Sequence, residues 1–367
     1  MENTKLVHRK RVALFLGAGA SKTFGLPLTS EIFGQLLIRC KDHTLFKSSS
    51  NPEQSCSQLL DSLGKLLPGL NNARIQLPLI TDVISLIDYS LSVSVIPITG
   101  MNRSQLQEFR DLLAQAVAEI VCIRPWNHPE WEKWTRWLHE LRSSASLSVL
   151  TSNYDIVAEH PILQDLWRSY PAERELYAKL DYGCGWCAYY DGSIQPRPHT
   201  PEISFFKLHG SVNWLTCEMC QSLYIHPWVA DPAAVRDRTG QDLVCCKSPL
   251  VPVIVTPSLV RDIKNSTLLE IWKNALQALR DADEWIIVGY SFPPEDLAIR
   301  SMFLRAWQSR AQKPRVTVVQ KPKKDGGSSP SDQLEETESR FCLFFPECTY
   351  LRDGLEGYLS DQLSATQ

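Results

Sequence analysis

Apolar residues fall into two patterns along the chain. Unbroken apolar runs at 12–16, 147–150 and 285–288 predict strands buried on both faces, as in a parallel sheet. Runs at 204–208, 251–255, 315–319 and 341–345 extend the strand set, the last as the closing strand. Between the first strand and Leu147 the period changes. Leu106, Phe109, Leu112, Leu113, Ala116 and Ile120 repeat at helical spacing and predict a helix over 103–121. Trp131, Trp134 and Trp137 continue on one face as a core stripe. A helix over 268–279 precedes the strand at Trp285 as a crossover, and a short helix is expected over 354–359. The fold class these patterns predict is α/β, a Rossmann-like doubly wound parallel sheet.

Polar breaks divide this frame. A helical insertion is expected at 41–144, with breaks at 47–54 and 71–74. A cysteine-bearing insertion is expected at 171–250. The segment 321–338, with Gly326-Gly327-Ser328-Ser329-Pro330, has too little apolar content to fold alone and reads as a flexible loop. The whole of 1–367 then reads as one domain with these insertions.

Three of the buried runs end directly in a motif. Residues 12–16 lead into Gly17-Ala18-Gly19-Ala20-Ser21, followed by Gly25-Leu26-Pro27. Residues 147–150 lead into Thr151-Ser152-Asn153-Tyr154-Asp155, and 285–288 into Gly289-Tyr290-Ser291. Lys207-Leu208-His209-Gly210-Ser211 closes a further candidate strand. In open α/β sheets ligands lie beyond the carboxyl ends of strands, so these motifs belong to one crevice. A small-residue turn between strand and helix admits a phosphate to the backbone. Alone it is a weak signal, because Lys22 interrupts the full dinucleotide fingerprint. Imidazole titrates nearest neutral pH, which makes His209 a candidate base. Asp155 suits either a ligand contact or a helix cap, and Thr29 is expected first as a cap. Lys207 and Asp296 read as structural or solvated.

Charge and cysteine usage narrow the classes. With 41 acidic and 38 basic residues the net charge is -3, without the basic footprint of a nucleic-acid binder. The basic group at 313–324 belongs to a solvated loop. Eleven cysteines without a disulfide architecture point to a reducing compartment, where thiols stay free or bind metal. The run at 12–16 is shorter than the ~7–15 residues of an export signal, and no stretch approaches the ~18–20 of a membrane span. A cytoplasmic chain without membrane attachment is expected. Cys217-Glu218-Met219-Cys220 and Cys184-Gly185-Trp186-Cys187 are knuckles able to offer thiolates to tetrahedral zinc, with Cys245-Cys246 downstream.

Taken in order, these motifs resemble the sirtuin family over about residues 11–360. The phrases Lys207-Leu208-His209-Gly210-Ser211-Val212-Asn213-Trp214 and Gly289-Tyr290-Ser291-Phe292-Pro293-Pro294-Glu295-Asp296 are similar to the bacterial sirtuin-like NAD-consuming proteins of antiphage defence. Deacylases of the family usually carry Asp-Phe-Arg after the Gly-x-Pro, where this chain has Leu28-Thr29-Ser30.

The resemblance implies NAD as substrate, with Gly17, Ala18, Gly19, Ala20 and Ser21 at its phosphates and Gly289 and Ser291 at the adenosine ribose. Asn153 would hold a ribose hydroxyl and the attacking water, His209 would accept a proton, and Asp155 would face the nicotinamide end. Structural zinc would sit on Cys217 and Cys220 with Cys245 or Cys246, or with Cys184 or Cys187 completing the set. The activity implied is NAD hydrolysis to nicotinamide and ADP-ribose. Protein deacylation and a non-catalytic NAD-binding or scaffold role are the alternatives. Since unrestrained NAD hydrolysis is toxic and no sensor segment is evident, gating is expected from a homo-oligomer or a separately encoded ATPase or sensor subunit.

Overall fold

The structure is a computed structural model whose described residues are 9–47, 51–70, 72, 74, 76–92, 100–122, 125–217, 219–228, 242–254, 266–294, 296–321 and 330–365. In chain order the strands are β1 (Arg11–Leu16), β2 (Ser146–Thr151), β3 (Leu180–Asp181), β4 (Trp186–Ala188), β5 (Ile194–Gln195), β6 (Ile203–Lys207), β7 (Gly210–Cys217), β8 (Leu223–Ile225), β9 (Leu250–Ile254), β10 (Glu284–Val288), β11 (Arg315–Val319) and β12 (Thr349–Leu351). Seven of them form one sheet in the order β12-β11-β10-β1-β2-β6-β3, parallel throughout. The chain builds outward from β1 on one side through β2, then returns to its other side at β10. The switch point therefore lies between β1 and β10, where such sheets bind ligands.

Register makes this specific. Leu16 is paired with Thr151 on one side and Val288 on the other, and Thr151 with Lys207. Four strands thus end on one line, and all four motifs begin at or just past it. The central strands are buried because their side chains meet helices on both faces. Helices α1 (Ala18–Lys22), α6 (Trp131–Ser144), α7 (Glu159–Ser169), α8 (Glu173–Tyr177), α9 (Ser266–Asp281), α10 (Leu297–Gln308), α11 (Pro330–Phe344) and α12 (Gly354–Ser364) accompany the sheet. Trp134 and Trp137 are buried in the sheet's core and Trp131 packs on it, so the tryptophan stripe is core.

A second core belongs to the helical layer of α2 (Thr29–Lys41), α3 (Pro52–Leu66), α4 (Ile80–Ser92) and α5 (Arg103–Val121). It starts earlier than residue 41 and stops before α6, which joins the sheet. Its apolar surface includes Tyr154, Ile156, Val212 and Ile254, so the layer rests directly on the loop after β2 and the start of β7. The layer enters at α2, where Pro27 has ended the preceding turn. There the Glu31 carboxylate accepts from Leu28 N–H at 2.8 Å, and Leu28 is the cap while Thr29 is the first helical residue. The expectation of Thr29 as a cap is corrected accordingly.

Other expectations also shift. The run 251–255 forms β9 but pairs antiparallel with β7 in a separate sheet, order β5-β4-β8-β7-β9; Val255 lies outside the described residues. Because β6 belongs to the large sheet, 171–250 is not one continuous insertion. Phe341 is buried in the last turn of α11 and Phe345 just past its end, while Leu343 faces solvent, so 341–344 is helical and the run is not the closing strand. That strand is β12. Of the expected loop 321–338, residues 322–329 lie outside the described residues, and Pro330 onward is helix. Among the described residues no helix is long and apolar enough to cross a membrane.

Candidate active site and thiol cluster

The site begins with two turns packed backbone to backbone. Gly17 and Gly19 follow β1, and Gly289 follows β10 with φ +64. A Cβ on Gly17 would lie 2.5 Å from the Gly289 carbonyl oxygen, and one on Gly289 would lie 2.0 Å from Ala20 N. Only glycine allows this approach. The amides of Gly17, Gly19 and Ala20 donate to the carbonyls of Val288, Gly289 and Gly17 at 2.8–3.0 Å. The Gly17 and Gly19 N–H groups therefore tie the two turns together, and the Ala20 N–H closes the first turn on itself.

Three expected residues meet through hydrogen bonds. Ser21 Oγ, 3% exposed, donates to Asp155 Oδ2 at 2.7 Å and accepts from Asn153 Nδ2 at 3.0 Å. Asn153 Nδ2 also donates to the Gly17 carbonyl at 2.9 Å. Thr151 Oγ1 donates to the Leu16 carbonyl and accepts from Asn153 N–H, both at 2.9 Å, which fixes the loop to the end of β1. Asp155 Oδ1 accepts from Val157 N–H at 3.0 Å. That bond closes a turn before α7, whose N-cap is Ala158, so Asp155 braces the crevice and does not cap the helix.

His209 stands between β6 and β7. Its ring lies 6.4 Å from that of Tyr154 and 6.4 Å from that of Trp272, and it is 3% exposed. Trp272 Nε1 from α9 donates to the Leu208 carbonyl at 2.9 Å and fixes the preceding residue. Ser291 is exposed beyond Gly289. Tyr290 Oη donates to buried Asp296 at 2.8 Å, a structural role for that carboxylate.

Lys207 is buried, not solvated. Its Nζ donates to Glu159 Oε2 at 2.7 Å and to the Asp155 carbonyl at 2.5 Å. Neither partner carries a sequence signal, since one is 48 residues away and the other acts through its backbone.

The second site is a cluster of sulfur and oxygen. The donor atoms of Cys217, Cys220, Asp242 and Cys246 all lie within 4.8 Å of one another. Zinc with Zn–S bonds of ~2.3 Å needs donors roughly 3.8 Å apart, so three thiolates and a carboxylate in this arrangement fit a tetrahedral ion after slight contraction. This corrects the expected set: Asp242 takes the place given to Cys245. Cys245 Sγ instead lies 3.5 Å from Cys246 Sγ, and Cys245 N–H donates to Asp242 Oδ2 at 3.1 Å. Neither Cys184 nor Cys187 is among the four donors, although Cys187 packs in the same apolar cluster as Cys217. Burial pushes the Cys184 thiol well up and the Cys187 thiol to about 11, where nearby Asp242 and Cys220 add to the effect. Burial also acts to raise Cys220, yet hydrogen bonds from Ser222, Cys217 and Cys246 leave it below the ordinary thiol range. Asp242 is held well below the usual carboxylate range: burial opposes this, but the Cys246 amide, the Tyr224 hydroxyl and the Val244 amide hydrogen-bond to it. None of the eleven cysteines forms a disulfide.

No protein-family model and no curated protein matches the chain. Among solved structures it is similar to Sir2Tm bound to a propionylated peptide, with 12% identity, 98% of this chain and 94% of that chain covered, and a TM-score of 0.40. A complex of Sir2, p53 peptide and NAD+ gives the same identity and coverage and a TM-score of 0.43. A structure on sirtuin substrate affinity gives 12% identity, full coverage of both chains and 0.39. What the site can do is therefore read from this chain's own geometry.

Proposed function

We propose that the protein is an NAD+ hydrolase that cleaves the nicotinamide N-glycosidic bond to give nicotinamide and ADP-ribose. The observation that carries this reading is the Ser21–Asn153–Asp155 hydrogen-bonded group at the switch point between β1 and β10. A dinucleotide would lie across that line, its phosphates toward Ala18 and Ser21 and its adenosine ribose toward Gly289 and Ser291. Breaking the bond to C1′ releases neutral nicotinamide and leaves positive charge on the ribose. Asp155 stands ready to face that charge. Asn153 would orient a ribose hydroxyl and the attacking water, which bonds to C1′ and passes its proton to His209.

Cys217, Cys220, Cys246 and Asp242 would hold a zinc ion. It would supply cross-linking between β7 and the 242–246 turn, remote from the chemistry. The proposed role, drawn from the motif resemblance, is NAD depletion in the cytoplasm during phage infection. Assembly of a homo-oligomer or docking of a separate ATPase or sensor subunit would gate it.

The test incubates the purified protein with NAD, with and without an acetylated peptide, and measures nicotinamide, ADP-ribose and acetyl-ADP-ribose. Nicotinamide and ADP-ribose without peptide are expected. Strict dependence on the acylated peptide, with equimolar acetyl-ADP-ribose, would make the protein a deacylase.

A further inference from the structure

A lysine inside an α/β core needs a reason. Lys207 and Glu159 expose 2% and 3% of their side chains, in a pocket that Leu16, Val149, Ala158 and Phe205 line together with Thr151 and Asp155. Desolvating both charges opposes folding, and an apolar pair of the same volume would fill such a space at no loss. An apolar pair could not, however, hold a carbonyl. The ammonium bond to Asp155 O is one of four that the segment 207–212 makes onto the end of β2 and the loop after it. Leu208 N–H donates to Thr151 O at 2.9 Å, Ser211 Oγ to Tyr154 O at 3.0 Å and Val212 N–H to Tyr154 O at 2.9 Å. The residues flanking His209 thus grip, from both sides, the loop that carries Asn153 and Asp155. Three of these bonds come from backbone or a short hydroxyl. Lys207 alone reaches the far end of the loop.

We propose that Lys207 is a positioning residue, neutralised by Glu159, that fixes the Asn153–Asp155 loop against the segment bearing His209. The ion pair presents no net charge beneath a ribose on which positive charge develops, whereas a bare ammonium there would oppose the reaction. The kinetic part of this inference rests on the NAD reading; the structural part stands without it.

The test is the double variant Lys207→Met/Glu159→Leu, which removes both charges and leaves neither buried alone. Its thermal midpoint is expected at or above that of the wild type. Amide hydrogen exchange over 152–158 should quicken by at least ~10-fold while 12–16 keeps its rate. The kcat for nicotinamide release should fall ~10–100-fold, as expected for misplacement by about an ångström, with KM for NAD within about threefold. A merely structural pair would move the midpoint and leave that split absent. Wild-type values in either loop exchange or kcat overturn the proposal. Should the double variant fail to fold, Lys207→Arg decides by the same readouts, since a planar guanidinium keeps the charge but not the single-point bond to Asp155 O. If the isolated wild type releases no nicotinamide, loop exchange alone decides.

Discussion

The strand-end crevice and the small mixed sheet solve the same problem in opposite ways. Each must hold irregular backbone in one conformation. The crevice does so with many hydrogen bonds onto backbone carbonyls, drawn from four strands that end in register. The small sheet has strands as short as Ile194–Gln195 and Trp186–Ala188, too little ladder to be stable alone, and gathers three sulfurs and a carboxylate at one point. Damage to a single residue should therefore be shared out in the crevice and concentrated in the small sheet.

The sharpest way to break that contrast is through the chemistry. His209→Ala and Asn153→Ala are each expected to lower NAD cleavage by ~10²–10⁴-fold, with circular dichroism and thermal midpoint near the wild type. A folded His209→Ala protein with full turnover removes His209 from the mechanism. Next in size, Cys217→Ser should abolish stoichiometric zinc binding and lower the thermal midpoint by ~5–10 °C, corresponding to a loss of several kcal/mol. Turnover per folded molecule should stay within about threefold. About one zinc per chain is expected by metal analysis of protein purified without chelator, and its absence would leave the cluster a plain thiol group.

Gly289→Ala tests the contact between the two turns. A Cβ there meets Ala20 N at 2.0 Å in a left-handed conformation, and a destabilisation of ~2–4 kcal/mol is expected in denaturant titration. The smallest effect lies at the α6–α7 seam, which neither region uses. Burial raises the Asp165 carboxyl, but hydrogen bonds from His139 and Arg142 outweigh it and hold the group below its ordinary value. Its stabilisation is present above the unfolded carboxyl pKa and lost as pH falls through the lower folded value. Asp165→Asn should flatten the acid limb of thermal stability slightly, with no change in either region.

The five inner strands of the large sheet were legible because burial on both faces leaves apolar runs, whereas the short edge strands β3 and β12 were not. Periodicity failed at Phe341 to Phe345, where a short aromatic-rich run fits strand and helix alike and only the exposure of Leu343 separates them. The expected site residues Ser21, Asn153 and Asp155 do meet, because each follows a strand end. What held them was not legible: Glu159 meets Lys207 across 48 residues, and the loop's carbonyls have no side-chain signature. Asp242 was missed for a related reason. A carboxylate 22 residues beyond Cys220 joins the thiols only when the turn to Cys246 brings it back.

The way β6 threads between β5 and β7 limits how this molecule can change by descent or by design. The small sheet cannot be cut out as a cassette, because the segment joining its halves carries the large sheet's strand and ends at His209. The helical layer enters and leaves between β1 and β2. Length and sequence can vary there without redrawing a single strand pairing. Kindred chains should therefore differ most in α2 to α5, and a biosensor or recruitment module is best grafted into that layer.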